Sequence, residues 1–270
     1  MTNDEGSAND RMSKRTPQNP KRSSDFVIPS SLDIRHSSLS KSLIASAAEL
    51  ADLLLFIEGN ARVAVDTEAD SLHCYREKLC LLQVSLAEGD FLVDPLADND
   101  LAPLADTLAR KEIVLHGADY DLRLLRRALN FQPAHLFDTV IAARLLGIRE
   151  FSYAALVEKY FGIELAKGSQ KANWALRPLS PKMEEYARND THYLLPLAEK
   201  LESQLIECDR FEWFQQSCER AIISAAIDRE RDTEEAWRIR GSGLTRGREA
   251  AILRALWHWR DREAERFDRP

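Results

Sequence analysis

Nothing in the 270 residues approaches the run of about 20 apolar residues that a bilayer-spanning helix requires. The amino terminus, MTNDEGSANDRMSKRTPQNPKRSSD, also lacks the apolar centre of a secretion signal, so the expected address is the cytoplasm. Cysteine is scarce. Cys74, Cys80, Cys208 and Cys218 form no CxxC pair and have no histidine at zinc-site spacing, which leaves reduced structural thiols as the reading. An excess of positive charge is missing too. With 37 Lys and Arg against 44 Asp and Glu, the net charge is −7, which argues against a broad basic surface for duplex nucleic acid. Two routes to a polyanion stay open: a grip on a few terminal nucleotides, or divalent cations that supply the missing positive charge. What the chain does have is enough apolar residues, 44%, to bury a sizeable core.

Residues 1–39 are rich in Ser, Asn, Asp, Arg and Lys and carry little apolar periodicity. They are expected to form a disordered tail, with at most a short extended piece at Phe26-Val27-Ile28. Regular structure is expected from SLIASAAELADLLLFIEG, a helical pattern ending at Gly59. ARVAVDTEAD then reads as a β-branched strand, and LCLLQVSLAE and GDFLVDPL as a hairpin about Glu88-Gly89-Asp90. EIVLHG is a strand that runs into the helix YDLRLLRRAL, and HLFDTVIAARLLG is a strand followed by a helix capped by Asp138. SYAALVEKYFG is a further helix, and Ser180-Pro181 opens a long one from Met183 to about Glu207. Three meandering strands followed by alternating strands and helices predict an α/β domain, a mixed sheet flanked by helices. The rest, 208–270, is helical, with FEWFQQSCERAIISAA and the charged ILRALWHWRDREAERF.

Three places could carry chemistry. Asp66 and Glu68 close the strand Val63-Ala64-Val65, and side chains at i and i+2 of a strand share a face. Two adjacent carboxylates repel each other, a conflict that a hard divalent cation resolves; otherwise they are solvated strand-end acids. Tyr186 and Asp190 stand at i and i+4 of a helix and project together, as a surface tyrosine beside an acid also would. Asp119 and Asp121 lie where the strand EIVL gives way to a helix, the usual edge for sites in α/β sheets, and either can serve as a cap. If these acids converge, four oxygen donors surround two cations in the arrangement that hydrolyses phosphodiesters.

VAVDTEADS, HGADYDL and YARNDTHYLLPL resemble the three motifs of the DEDD exonuclease superfamily, and specifically those of RNase D, in order and at similar separations. The YxxxD spacing of Tyr186 and Asp190 is that of the tyrosine subclass; Glu185 stands where the histidine subclass has His. The resemblance implies an RNase H-like fold over 40–207 and chooses Asp121 over Asp119. It implies that Asp66, Glu68 and Asp190 hold one Mg²⁺ or Mn²⁺, that Asp66 bridges to a second, and that Asp121 completes the site. Tyr186 would orient the attacking water, and Thr67 and His116 are candidates for substrate contact. The implied activity is 3′→5′ trimming of RNA ends, tRNA or other structured RNA, releasing nucleoside 5′-monophosphates. A DNA exonuclease of the same chemistry, a catalytically silent binding module and a two-metal phosphoesterase acting on a small nucleotide are the alternatives, and no membrane partner is expected. WALRPLS, at 174–180, also resembles the family, whereas Ala69 replaces the bulky residue that many relatives place after the first Glu. EEAWRI and LWHWRDREAER resemble the opening of an HRDC module, of which the 37 residues from Glu234 cover about half. Beside it, Trp257 reads as a core residue, Arg123, Arg126 and Arg127 as a solvated face, and Lys167 and Lys171 as loop cations suited to phosphate.

Overall fold

The structure, a computed structural model, describes residues 43–166, 168–227 and 234–270. The expected tail, with Phe26-Val27-Ile28, and Lys167 lie outside the described residues. Among the described residues no helix is long and apolar enough to cross a membrane.

Among the described residues six strands form one mixed sheet, flanked by helices as expected. In chain order they are β1 (Leu43–Ile44), β2 (Arg62–Ala69), β3 (Leu79–Leu86), β4 (Gly89–Val93), β5 (Glu112–Leu115) and β6 (His135–Asp138), arranged β1-β4-β3-β2-β5-β6. β2, β3 and β4 are the antiparallel meander, while β5, β6 and β1 join in parallel. The central position of β3 explains its composition. LCLLQVSL is buried at all eight positions, so it reads as a continuous apolar run rather than an alternation. Two polar residues interrupt that run, Gln83 and Ser85. In the register with β2, Gln83 lies opposite Asp66.

The helices are α1 (Ala47–Gly59), α2 (Ala102–Ala109), α3 (Asp119–Leu129), α4 (Thr139–Leu145), α5 (Tyr153–Phe161), α6 (Pro181–His192), α7 (Leu194–Glu207), α8 (Phe211–Ala226) and α9 (Arg248–Arg266). Ser46 and Glu49 form a reciprocal capping box on α1, which leaves Leu43-Ile44 free to extend as an edge strand rather than join the helix. α2 has no side-chain cap and only eight residues, a weak signal that the periodic reading passes over.

The expected long helix from Met183 to Glu207 is two helices, α6 and α7, divided at Tyr193. Pro196 supplies half of the reason: it has no N–H for the His192 carbonyl, and its ring crowds that turn. Tyr153 supplies the rest. Its hydroxyl donates to the Asn189 carbonyl at 3.0 Å and accepts from the Tyr193 N–H at 3.0 Å, so it sits inside the i→i−4 ladder. The break falls three residues after Asp190 and fixes where that turn of α6 ends.

Two apolar clusters seat the helices. The larger spans both sheet halves and takes in Phe214, Cys218 and Ala225 of α8, so the start of the helical stretch 208–270 packs into the same core as the sheet. The smaller joins Cys80, Leu81, Leu92, Trp174, Leu179 and Ala187, with Met183 and Tyr186 against it, and holds α6 on β3 and β4. α9 attaches to the loop after β2: Tyr75 N–H donates to Asp268 at 3.1 Å, and Arg76 pairs with Glu265 at 2.7 Å. Trp257 is buried, as expected, and Trp259 is exposed.

Asp138 caps α4, donated to by Val140 N–H at 2.8 Å and Ile141 N–H at 3.3 Å. It does more than cap. The same carboxylate accepts from Gly117 N–H at 3.1 Å and Ala118 N–H at 2.9 Å, which pins the turn between β5 and α3. Gly117 makes that turn at φ +79°, in the left-handed region that favours glycine. Removing the carboxylate strands four backbone donors at a buried position. Asp138→Ala is therefore expected to lose about 3 kcal/mol in urea unfolding, with part of this restored by Asp138→Asn. A loss within experimental error of zero would show that these contacts are not needed.

Candidate active site

β2 carries Asp66 and Glu68 to one face of the sheet, and α6 lies across that face through its packing on β2, β3 and β4. Asp190, on the last full turn of α6, meets them there. One carboxylate oxygen each from Asp66, Glu68 and Asp190 lie within 4.8 Å of one another, and all three residues are half-buried. Asp121 is not a member of that trio. It stands at its border in the first turn of α3, 7% exposed, and its Oδ1 accepts from the Thr67 hydroxyl at 2.5 Å. Its charge nevertheless acts on both Asp66 and Glu68. The two aspartates of HGADYDL are thereby separated: Asp121 faces inward, while Asp119 is exposed and paired with Arg123.

Crowded, poorly solvated carboxyls hold their protons. Burial first, then the charges of Asp121, Asp190 and Glu68, raises Asp66 well above the usual carboxylate range. Burial together with Asp190 and Asp121 pushes Glu68 up to about 9. Burial lifts Asp190 to about 7 against the opposing hydrogen bond from Tyr186. It lifts Asp121 to about 6 against the bond from Thr67. A set of all-oxygen donors that repel one another fits hard divalent cations such as Mg²⁺ or Mn²⁺, which displace these protons on binding. Asp66, Glu68 and Asp190 could hold one ion, with Asp121 within the same field.

Tyr186 lies one helical turn before Asp190 and packs its ring at 6.2 Å from buried Trp174. Burial and the nearby acids raise its phenol above the ordinary value, so it stays protonated and acts as a hydrogen-bond donor. His116 has a fixed tautomer. The Thr139 hydroxyl donates to the Leu115 carbonyl at 3.2 Å, so the His116 Nδ1, at 2.8 Å from that hydroxyl, must donate to it. Burial lowers His116 to about 4, which leaves the ring neutral with Nε2 as an acceptor, its face tilted against Tyr153 at 5.6 Å. Of the basic residues, Arg127 pairs with Glu77 and Arg126 bonds Gln132, while Lys171 is exposed on the loop before Trp174.

Several supporting residues escape a sequence reading. Asp90 of β4 accepts from the Ser85 hydroxyl at 2.6 Å and lies 2.7 Å from His192 Nδ1. Ser85 is also 2.6 Å from the Thr191 hydroxyl, and Arg188 Nη1 donates to the Asp90 carbonyl at 2.8 Å. α6 is thus tied to β3 and β4 on both sides of Asp190. The only sequence signal for this network is the polar pair Gln83 and Ser85 inside an apolar strand. Tyr153 gives no signal at all.

Residues 42–206 match the sequence family described as 3′-5′ exonuclease. The chain belongs to that family. A Ribonuclease D of Sphingobium indicum is 35% identical over 228 residues, 83% of this chain and 58% of the relative. The crystal structure of Escherichia coli RNase D, described as an exoribonuclease involved in structured RNA processing, superimposes with a TM-score of 0.68 at 30% identity, over 84% of this chain and 61% of that one. The catalytic core of RRP6 from Trypanosoma brucei gives a TM-score of 0.70 at 26% identity, over 84% and 65%. The chain spans just under three fifths of the length of the Ribonuclease D relatives it matches, 58% for the first two. The family match contains Asp66, Glu68, Asp121, Tyr186 and Asp190 and ends in α7, ahead of α8 and α9.

Proposed function

We propose that this chain is a metal-dependent 3′→5′ exoribonuclease that shortens RNA from its 3′ end and releases nucleoside 5′-monophosphates. One observation carries the reading: in a member of the 3′-5′ exonuclease family, oxygens of Asp66, Glu68 and Asp190 gather within 4.8 Å. Two divalent cations, Mg²⁺ or Mn²⁺, would supply water activation and neutralisation of the charge on the reacting phosphate. Asp66, Glu68 and Asp190 would hold the first, and Asp66 and Asp121, the latter steadied by Thr67, would hold the second. Tyr186, protonated and bonded to Asp190, orients the attacking water rather than taking its proton. Thr67 and His116 remain the proposed substrate contacts, with the free Nε2 of His116 suited to accept from a hydroxyl. RNA is placed ahead of DNA because relatives carry the name Ribonuclease D and one is described in structured RNA processing. We extend this to the trimming of tRNA or other structured RNA 3′ ends in the cytoplasm. Residues 40–207 would carry the chemistry and 208–270 a helical, partly HRDC-like extension.

The test is direct. Single-stranded RNA and DNA of matched sequence, labelled at the 5′ end, are incubated with the protein in Mg²⁺, Mn²⁺ or EDTA. The expected result is a ladder shortening from the 3′ end, faster on RNA and absent in EDTA. Absence of shortening with either ion favours a silent binding module, and faster shortening of DNA overturns the RNA assignment.

A further inference from the structure

Gln83 is fully buried, and neither its carboxamide nitrogen nor its oxygen has a hydrogen-bond partner among the described residues. A buried amide left unpaired costs about 1–3 kcal/mol, so a primary amide in an otherwise apolar strand needs a reason. Its surroundings supply one. Leu81, two residues before it, packs with Ala187 of α6, and Ser85, two residues after it, reaches Thr191 of α6 at 2.6 Å. Alternation along β3 therefore turns Gln83 to the same side, beneath the turn of α6 between Ala187 and Thr191. Asp190 is on that turn. Across the antiparallel ladder Gln83 stands opposite Asp66, and directly opposed side chains begin about 4.5–5.5 Å apart.

We propose that Gln83 is a positioning residue of the metal centre, its amide N–H donating to the Asp66 carboxylate when that carboxylate binds a cation. The inference rests on the metal-dependent reading above. Even a carboxylate shared between two ions keeps a lone pair on each oxygen, and a donor placed there holds the group in its ligating orientation. The acids that act on Asp66 are Glu68, Asp121 and Asp190, all acceptors once ionised, and the two phenols within its field, Tyr153 and Tyr186, already donate to the Asn189 carbonyl and to Asp190. Among the described residues three buried side-chain donors lack a hydrogen bond, Gln83 Nε2, Trp174 Nε1 and Arg188 Nη2, and of these Gln83 is the one that stands opposite Asp66 in the sheet. This also accounts for an amide where a leucine would pack better: it is idle without the ion and engaged with it.

The test separates positioning from mere structure. Gln83→Met keeps the length of the side chain and removes the amide. In EDTA it is expected to melt at or above the wild-type temperature, because an unpaired buried polar group is gone. In Mn²⁺ titrations followed by the electron paramagnetic resonance of the free ion, its affinity is expected to fall about 10–100-fold. Gln83→Asn keeps the amide but withdraws it by one methylene. It carries the test if the Met variant does not fold, and is expected to bind Mn²⁺ several-fold more weakly than wild type. Wild-type affinity in a folded variant overturns the proposal, as does a loss confined to the melting temperature in EDTA. A wild-type protein that takes up no Mn²⁺ overturns the metal-dependent reading itself, so the two failures are told apart.

Discussion

Asp66→Asn is expected to slow 3′-terminal cleavage on the order of 10³-fold or more, a barrier increase of about 4 kcal/mol. The asparagine has the same shape, so packing in β2 is unchanged, and the effect is electrostatic. Asp66 is the member of the cluster that feels all three other acids, Asp121, Asp190 and Glu68. Its charge is what a pair of cations would share, and a neutral amide oxygen binds a hard cation far more weakly than a carboxylate. The same substitution has the opposite effect on the metal-free fold. It replaces a carboxyl that must take up a proton in the metal-free fold with a neutral amide, so in EDTA at neutral pH the variant is expected to melt no lower than wild type. Single-turnover release of the 3′ nucleotide and a thermal melt read the two effects separately. A cleavage rate within tenfold of wild type would mean that Asp66 holds no catalytic ion. A melt well below wild type would mean that its carboxylate is structural.

The parts of the site legible in the sequence are those whose spacing follows a local period. Asp66 and Glu68 at i and i+2 of a strand, and Tyr186 and Asp190 at i and i+4 of a helix, share a face whatever the rest of the fold does. Asp121 is different. HGADYDL offers two aspartates two residues apart, and only the packing of α3 on the sheet turns one inward and leaves the other on Arg123. The α6–α7 break shows a further limit. Pro196 is visible, but apolar periodicity runs through it, and the decisive group is a hydroxyl from Tyr153, 40 residues away from Tyr193. The second duty of Asp138 is hidden for the same reason. Its cap on α4 is local, whereas its hold on Gly117 and Ala118 spans about 20 residues. β1 was hidden by the helix beside it, since two residues carry no period. What a sequence of this kind conceals is the support of the site rather than its acids.

That support has a measurable electrostatic cost when no cation is bound. Glu68 titrates near 4.5 when unfolded and near 9 in the fold, so between these values the native state holds a proton that the unfolded chain has released. Stability therefore falls as pH rises across this window; it is the contribution of a protonated buried carboxyl, complete at low pH and lost toward pH 9. Over pH 7–9 one such group contributes a decline of roughly 2–3 kcal/mol, about 1.4 kcal/mol per pH unit. Asp190, near 7, has spent most of its effect by the start of that interval. His116, lowered to about 4, acts only at more acid pH, where its neutral form in the fold makes stability rise with pH. His192, raised by its bond to Asp90, declines in the same direction as Glu68, so wild type alone does not isolate the cluster. Glu68→Gln does. In EDTA the variant is expected to lose the Glu68 share of the slope, about 1.4 kcal/mol per pH unit, while keeping the shares due to Asp66 and His192. Saturating Mn²⁺ is expected to reverse the slope in wild type, because ion binding favours the deprotonated acids. Parallel slopes for Glu68→Gln and wild type in EDTA would mean that Glu68 is ionised in the metal-free fold, and that the acids at the end of β2 are solvated rather than held together under α6.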